Sequence, residues 1–521
     1  MVSILNSFGN AKEAQASLNR ISNQIIDLNG SFDISRKEVY QVYVIAHLKY
    51  PSEIEFQNFL EQLELNPRVL NQLIEVSLSN IRDSKINFSD SRSSFIDLTE
   101  SLYVSYSSGR TKTTRLLIGS APNALRGCFW NHELGNIAVL DTLDPRLKAA
   151  TAMDRNSFGR TAEGASFEIK HSLLKSILIF SNKNSYLLNF LGKKFAPSVY
   201  STLVKTVLRL FKTRIDSNDE QFTAIFYNGI FMNDYADWNR ITLSRIKLLV
   251  QETDVNLFFT LHDDIVYRKP NFFPDQRLVE FMSVLDLARV ATCIFVPSHT
   301  VKEFVAKHFQ ENTQIVVVPF SGSHVLNYSQ NITSSRSIDS DDQVTFLHFL
   351  GNDPRKNSIK TLTAFLTLAK KGSIFKLHIV GPNPHKKDAL FSLFDELSKL
   401  GIHQEFFQHL SEESLSFLYQ RSDCLVYCSL DEGFGLPIAE AGELGCGVVT
   451  SNFGSMLEVG QRYRNVSFVN PNQTREIEEA LEGFIQNKYR RNLVATPPTS
   501  TWKSAFEVIL KTMGVEGEKG I

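Results

Sequence analysis

Apolar positions recur at helical spacing through residues 1–105, and three start signals punctuate them. Ser35 with Glu38 forms a capping box ahead of VYQVYVIAHL, and Ser52 with Glu55 forms another ahead of FQNFLEQL. In each box a hydroxyl and a carboxylate satisfy amides that a helix start leaves unpaired. Asn66-Pro67 opens RVLNQLIEVSL, because proline gives up nothing at the first helical position. The pattern predicts a small all-helical N-terminal module at 1–105. It carries no Gly-rich loop and no cluster of catalytic residue types, so packing or docking of a protein partner is its expected role.

The period changes after the polar stretch SYSSGRTKTT. RLLIGS, FTAIFYNG, VNLFFTLHDD, TCIFVPS and QIVVVPF read as strands, with DWNRITLSRIKLLVQET and HTVKEFVAKHF as helices among them. Residues 321–341 are polar, Ser/Asn-rich and aperiodic, and supply a linker at 326–341. Alternation then restarts with QVTFLHFLG, SIKTLTAFLTLAKK, FKLHIVGP, DALFSLFDELSKLG, HQEFFQHL, EESLSFLYQRS and CLVYCSL. Strand–helix alternation of this kind predicts parallel sheets covered on both faces. The expected fold class is α/β, with Rossmann-like domains at 106–325 and 342–500 facing a cleft, and a closing helix and tail at 501–521.

Composition narrows the partners. A formal net charge of -1 removes any global electrostatic case for nucleic acid. Five scattered cysteines fit reduced thiols in a cytosolic compartment better than a disulfide framework. The N-terminus lacks the basic start and apolar core of a secretory signal, and no apolar run is long enough to span a bilayer. The expectation is a cytoplasmic chain, at most peripheral on the inner face of the plasma membrane. Residues 169–215 carry nine Lys/Arg and no acidic residue. Tyr200, Leu203, Val204, Val207, Leu208 and Phe211 make an apolar stripe there, with Lys205, Arg209 and Lys212 off it. Such a helix either packs on the core with a solvated basic side or rests on an anionic membrane surface.

The densest chemistry lies in DEGFGLPIAEAGELGCGVVTSNFGSMLEVG, Asp431 to Gly460. The buried strand CLVYCSL ends just before DEGFG, where functional loops of α/β sheets belong. Pro437 suits the first turn of a helix through IAEAGEL, and the pattern places Glu440 in that turn, eight positions after Glu432. Gly433 and Gly435 let backbone amides approach a ligand, and a helix start aimed into a cleft favours phosphate. Carboxylates are poor phosphate ligands but good acceptors for sugar hydroxyls. Two of them flanking a phosphate-type turn fit a nucleotide sugar better than a glycosidase pair or a solvated surface.

The stretch EGFGLPIAEAGELGCGVVTSNFGSMLEVG resembles the signature of retaining glycosyltransferases of family 4, which have the GT-B fold. The resemblance extends over about residues 220–510 and includes FLGNDPRKN, LHIVGP, LSEESLSFLYQRSDCLVYCSL, the LHDD of a mannosyltransferase-like branch, and Thr501-Trp502 at the closing helix. It implies that Glu432 contacts donor-sugar hydroxyls and Glu440 the ribose hydroxyls. The amides of Gly433, Phe434, Gly435 and Leu436 would line sugar and diphosphate, with Gly351 and Gly381 in the neighbouring donor loops. Lys356, helped by Arg355, would neutralise the leaving diphosphate, and His262 would sit across the cleft beside the reacting sugar. No metal and no other cofactor is expected. The implied activity is transfer of a hexose, with mannose from GDP-mannose as the first choice, to a glycan or lipid-linked acceptor in polysaccharide or lipopolysaccharide synthesis. Asn352 stands where the family usually has arginine. That departure keeps open a catalytically impaired, glycosyltransferase-like binding subunit of a glycan-assembly complex.

Overall fold

The computed structural model describes residues 11–27, 34–66, 68–83, 86–88, 94–98, 109–120, 125–131, 135–139, 222–224, 230–234, 239–309, 313–328, 343–351, 353–385, 388–408, 410–487 and 500–515. The basic segment 169–215 and Asn352 lie outside them.

The C-terminal unit is a six-stranded, all-parallel sheet. Its strands are β10 (Val344–Phe349), β11 (Phe375–Val380), β12 (His403–Phe407), β13 (Cys424–Tyr427), β14 (Gly447–Ser451) and β15 (Val466–Val469). The spatial order is β12-β11-β10-β13-β14-β15. Strand order therefore reverses between β10 and β13, and the loops leaving those two carboxyl ends flank the crevice where such sheets bind ligands. One face of the sheet is closed by the helices Ser358–Lys370, Ala389–Lys399 and Thr474–Gln486, with Phe346, Phe365 and Phe375 at its centre.

The N-terminal unit has a seven-stranded sheet ordered β4-β3-β2-β6-β7-β8-β9. The strands are β2 (Ser94–Asp97), β3 (Arg126–Asn131), β4 (Asn136–Val139), β6 (Ile230–Asp234), β7 (Asn256–Thr260), β8 (Cys293–Val296) and β9 (Gln314–Val317). All pairings are parallel except β3 with β4. A separate parallel pair joins β1 (Ile86–Phe88) to β5 (Phe222–Ala224). Two Rossmann-like α/β units facing one another are the expected GT-B arrangement.

Three local expectations are corrected. RLLIGS is no strand: it ends the helix Gly109–Ser120, whose described side chains from Lys112 to Leu117 are all buried. Strand Ser94–Asp97 falls inside the span expected to be helical and pairs in the middle of the sheet. The front of the expected linker is packed structure: Ser323–Tyr328 forms 3-10 turns with His324 and Val325 buried. Gly322 permits this, because a Cβ there would meet backbone atoms of Ala439 and Glu440 at 2.4–2.5 Å. Residues 329–341 lie outside the described chain.

Both capping boxes form at Ser35 and Ser52. The helices they open share one hydrophobic cluster with the first sheet, in which Tyr50 meets Trp130 at 5.3 Å between ring centroids. Arg36 pairs with Glu252 at 2.5 Å and Lys37 with Asp254 at 3.2 Å. The helical segment is thus built onto the first α/β unit. A second cluster joins the two units through Phe320, Phe434 and Trp502, with Thr501 capping the closing helix Trp502–Met513. This helix packs on Gly109–Ser120 of the other unit.

Candidate active site

The switch-point loops are sewn to each other before any ligand is considered. Asn357, in the left-handed conformation at φ 54°, donates from Nδ2 to the Cys428 and Pro471 carbonyls. The Leu430 amide donates to the Arg355 carbonyl at 2.7 Å. These bonds bring Lys356, from the β10 loop, onto Glu432, from the β13 loop. Lys356 Nζ lies 2.7 Å from Glu432 Oε1 and 2.6 Å from the Tyr427 hydroxyl, which itself donates to Glu432 Oε1 at 2.8 Å.

The group is partly open, with 25% of the Lys356 side chain and 12% of Glu432 exposed. Burial opposes the charge on both. The ion pair outweighs it, raising the Lys356 pKa and lowering that of Glu432, with Arg355 also acting on the carboxylate. Tyr427 is pushed up by burial and then by Glu432. Both ends of the pair are therefore ionised at neutral pH. Arg355 sits 2.6 Å from the Asp353 carboxylate and over the Phe273 ring of the first unit, 5.4 Å from its centroid.

Gly433 and Gly435 have different jobs. A Cβ at Gly433 would lie 2.1 Å from the His262 carbonyl oxygen, so the two loops touch backbone to backbone across the cleft. The Ser298 hydroxyl donates to the Gly433 carbonyl at 2.7 Å. Gly435 caps the helix Leu436–Glu443 at φ 92°, in the left-handed region that glycine enters without strain. The Phe434 side chain is buried against Phe320, with rings 5.6 Å apart, leaving only its backbone for a ligand. Gly351 packs on the Lys356 stem, and Gly381, at φ 151°, lets the end of β11 approach the Leu350 carbonyl. His262 is buried, its ring 6.1 Å from Phe320.

Glu440 departs from its expected place. It follows the first turn rather than lying in it, and only 2% of its side chain is exposed. Lys112, from the first unit, brings its ammonium 2.6 Å from Glu440 Oε1 and 2.6 Å from Glu412 Oε2. The Tyr419 hydroxyl donates to Glu440 Oε2 at 2.7 Å. His324 Nε2 stands 3.2 Å from Glu440 and 3.5 Å from Glu412. Burial works against the Glu440 charge, but Lys112 and His324 prevail and hold this carboxyl at about 2.

His324, Glu412 and Glu440 are spaced closely enough to gather a metal ion. The cation among them is the Lys112 ammonium. Trp502 Nε1–H donates to His324 Nδ1 at 3.2 Å, which leaves the proton of the neutral ring on Nε2, the atom a metal would need. The two glutamates thus belong to separate clusters, bridged by the Phe349 ring between Tyr419 and Tyr427.

Sequence reasoning missed Tyr427, in a run read as a buried strand, and Tyr419, in a run read only as part of the strand–helix alternation. It missed Lys112 and His324 because each was placed in a polar connection. Arg268 and Asp431 were passed over as well; the Asp264/Arg268 spacing was the available signal, being an i,i+4 pair on a helix start.

Residues 331–496 match the family described as Glycosyl transferases group 1. Over 165 residues the chain is 31% identical to the serotype-specific mannosyltransferase WbdA of Escherichia coli, covering 31% of this chain and 20% of WbdA. It is 26% identical over 229 residues to the O-antigen chain mannosyltransferase B of Escherichia coli, covering 38% of this chain and 60% of that protein. The chain thus spans about a fifth of the first relative and three fifths of the second. Among solved structures, Anabaena Alr3699/HepE in complex with UDP and glucose aligns at 16% identity and a TM-score of 0.39, over 58% of this chain and 84% of that one. Among the described residues, no helix is long and apolar enough to cross a membrane.

Proposed function

We propose that this chain, which carries a glycosyl transferases group 1 domain at residues 331–496, transfers a hexose from a nucleoside diphosphate sugar to a glycan or lipid-linked acceptor in polysaccharide synthesis. The observation that carries the reading is the Lys356–Glu432–Tyr427 group at the strand-order reversal, next to the Gly433 backbone that meets the His262 carbonyl across the cleft. Departure of a nucleoside diphosphate builds negative charge on its oxygens, and preorganised cations and amides aimed at that charge lower the barrier. Lys356 is the cation closest to this role, Arg355 the second, and the amides from Gly433 to Leu436 open a helix beside them. Glu432, kept ionised by Lys356, accepts hydrogen bonds from sugar hydroxyls. No metal is required in this scheme. Mannose from a GDP donor is the first choice, in keeping with the names of the relatives, and transfer proceeds with retention.

A second reading, a binding subunit without turnover, is favoured by the engagement of Glu440 with Lys112 and Tyr419. Ribose hydroxyls reach Glu440 only if Lys112 gives way. The two readings separate when the full chain is titrated with GDP, UDP, GDP-mannose and UDP-hexoses by calorimetry, then incubated with each donor and a glycan acceptor. Binding with formation of an α-linked product supports the transferase. Binding without product under any donor supports the subunit, and no binding at all overturns both.

A further inference from the structure

A single guanidinium spans the cleft between the two halves of the candidate site. Arg268 ends the short helix Ile265–Arg268 that follows LHDD. Its Nε and Nη2 donate to the two oxygens of Asp264, the latter at 3.0 Å. Its Nη1 and Nη2 donate to the two oxygens of Asp431, at 2.7 and 2.9 Å. Asp264 is fully buried, two residues after His262, and the Asp431 side chain is 7% exposed, one residue before Glu432. We propose that Arg268 is a positioning residue for the transfer reaction, fixing the spacing between His262 and Glu432 by bridging Asp264 to Asp431. This rests on the transferase reading.

The chemistry favours arginine for this task. Its planar fork satisfies two carboxylates at once, whereas a lysine ammonium has neither the reach nor the geometry for both. Without the cation, two mostly buried carboxylates would face one another across the cleft. Burial already pushes both aspartates above the usual carboxylate range, with Arg268 pulling each back. The bridge also acts where tolerance is smallest. Two residues beyond Asp431, Gly433 lies against the His262 carbonyl with no room for a side chain, and Ser298 holds its carbonyl. Asp263 does a local job: its Oδ1 accepts from the Ile265 amide at 3.3 Å. Within this motif Asp264 anchors the arginine and His262 faces the other loop. A shift on the order of 1 Å between reacting groups is enough to lower turnover about 100-fold, so a tie at this point bears on rate more than on donor affinity.

Asp431→Asn is the informative variant, because it keeps the Asp264–Arg268 pair that folds the loop and weakens only the crossing contact. Arg268→Lys is its partner. In the full chain with GDP-mannose and acceptor, both variants are expected to lose about 10–100-fold in kcat, while GDP affinity by calorimetry stays within about twofold of the parent. Parental kcat in both variants overturns the proposal, as does a loss of GDP affinity matching the loss of kcat, which marks a disordered donor loop. Should the parent itself show no turnover, the transferase reading fails separately, and amide hydrogen exchange in the 261–268 and 430–436 loops still reads the tie. Asp431→Asn is expected to speed exchange in both loops, and unchanged exchange overturns the bridge.

Discussion

The two glutamates of one motif end in opposite circumstances. Glu440 is sealed, its oxygens divided between a buried ammonium from the other unit and a buried tyrosine. Glu432 holds an ammonium of similar geometry, but a quarter of the Lys356 side chain meets solvent. A charge whose partner a ligand can replace is equipped to bind, whereas a charge locked in a dry cluster joins pieces of structure. Lys112, His324, Glu412, Tyr419, Glu440 and Trp502 tie together the first unit, the connection after it, the second unit and the closing helix. Under the transferase reading, the contrast assigns stability chiefly to one cluster and chemistry chiefly to the other.

The sharpest way to break the contrast is to remove each lysine in turn. Lys112→Met leaves Glu412 and Glu440 buried without their cation and is expected to destabilise the fold by about 3–5 kcal/mol, read from the midpoint and slope of chemical unfolding. A loss under about 1 kcal/mol would place Lys112 in a loose surface pair. Lys356→Met is expected to change stability far less. Under the transferase reading it lowers kcat by about 100–1000-fold, the range for removing one fixed group that stabilises developing negative charge.

Smaller effects refine it. Tyr427→Phe removes the hydroxyl between Lys356 and Glu432 and is expected to weaken donor binding by about 1.5–3 kcal/mol at most, measured by calorimetry, with unfolding little altered. Tyr419→Phe is expected to do the reverse.

Acid should weaken both clusters, since both carboxyls are held low in the fold. The Glu440 carboxyl falls from the ordinary value of 4.5 to about 2 in the fold. Its contribution is therefore complete above the unfolded value and is lost as pH drops from about 4.5 toward 2, because the unfolded chain binds the proton more readily there. Glu440→Gln is expected to flatten the stability–pH curve in that window. Buried His348, lowered from 6.5 to about 4 chiefly by burial, adds a separate loss as pH falls from 6.5 to 4. Buried His378 is lowered from 6.5 to about 4 as well, so that second slope should survive in Glu440→Gln and become shallower, without vanishing, in His348→Asn.

Much of the second unit was legible because its strands are short apolar runs bounded by turn residues, and its helices carry caps and periodic faces. EGFGLP gave away its own loop, since a glycine at φ 92° followed by a proline-started helix leaves a plain trace. The helix Gly109–Ser120 did not: with every described side chain from Lys112 to Leu117 buried, no polar face marks the period, and a short apolar run reads equally as a strand. Ser94–Asp97 is four residues between polar flanks, too short for alternation to show. The pairing of Lys112 with Glu440 joins positions 328 apart, and no local pattern encodes it. Arg268 lay halfway: its helix partner Asp264 is four residues away, but Asp431 comes from the other unit.

The most direct test compares nucleoside diphosphate release by the purified full chain and by its Lys356→Met and Lys112→Met variants, with GDP-mannose and a glycan acceptor, at a temperature where all three remain folded. The expected result is turnover in the parent, turnover retained in Lys112→Met, and a loss of at least about 100-fold in Lys356→Met. Equal turnover by Lys356→Met and the parent would contradict the placement of the chemistry at Glu432 and Lys356.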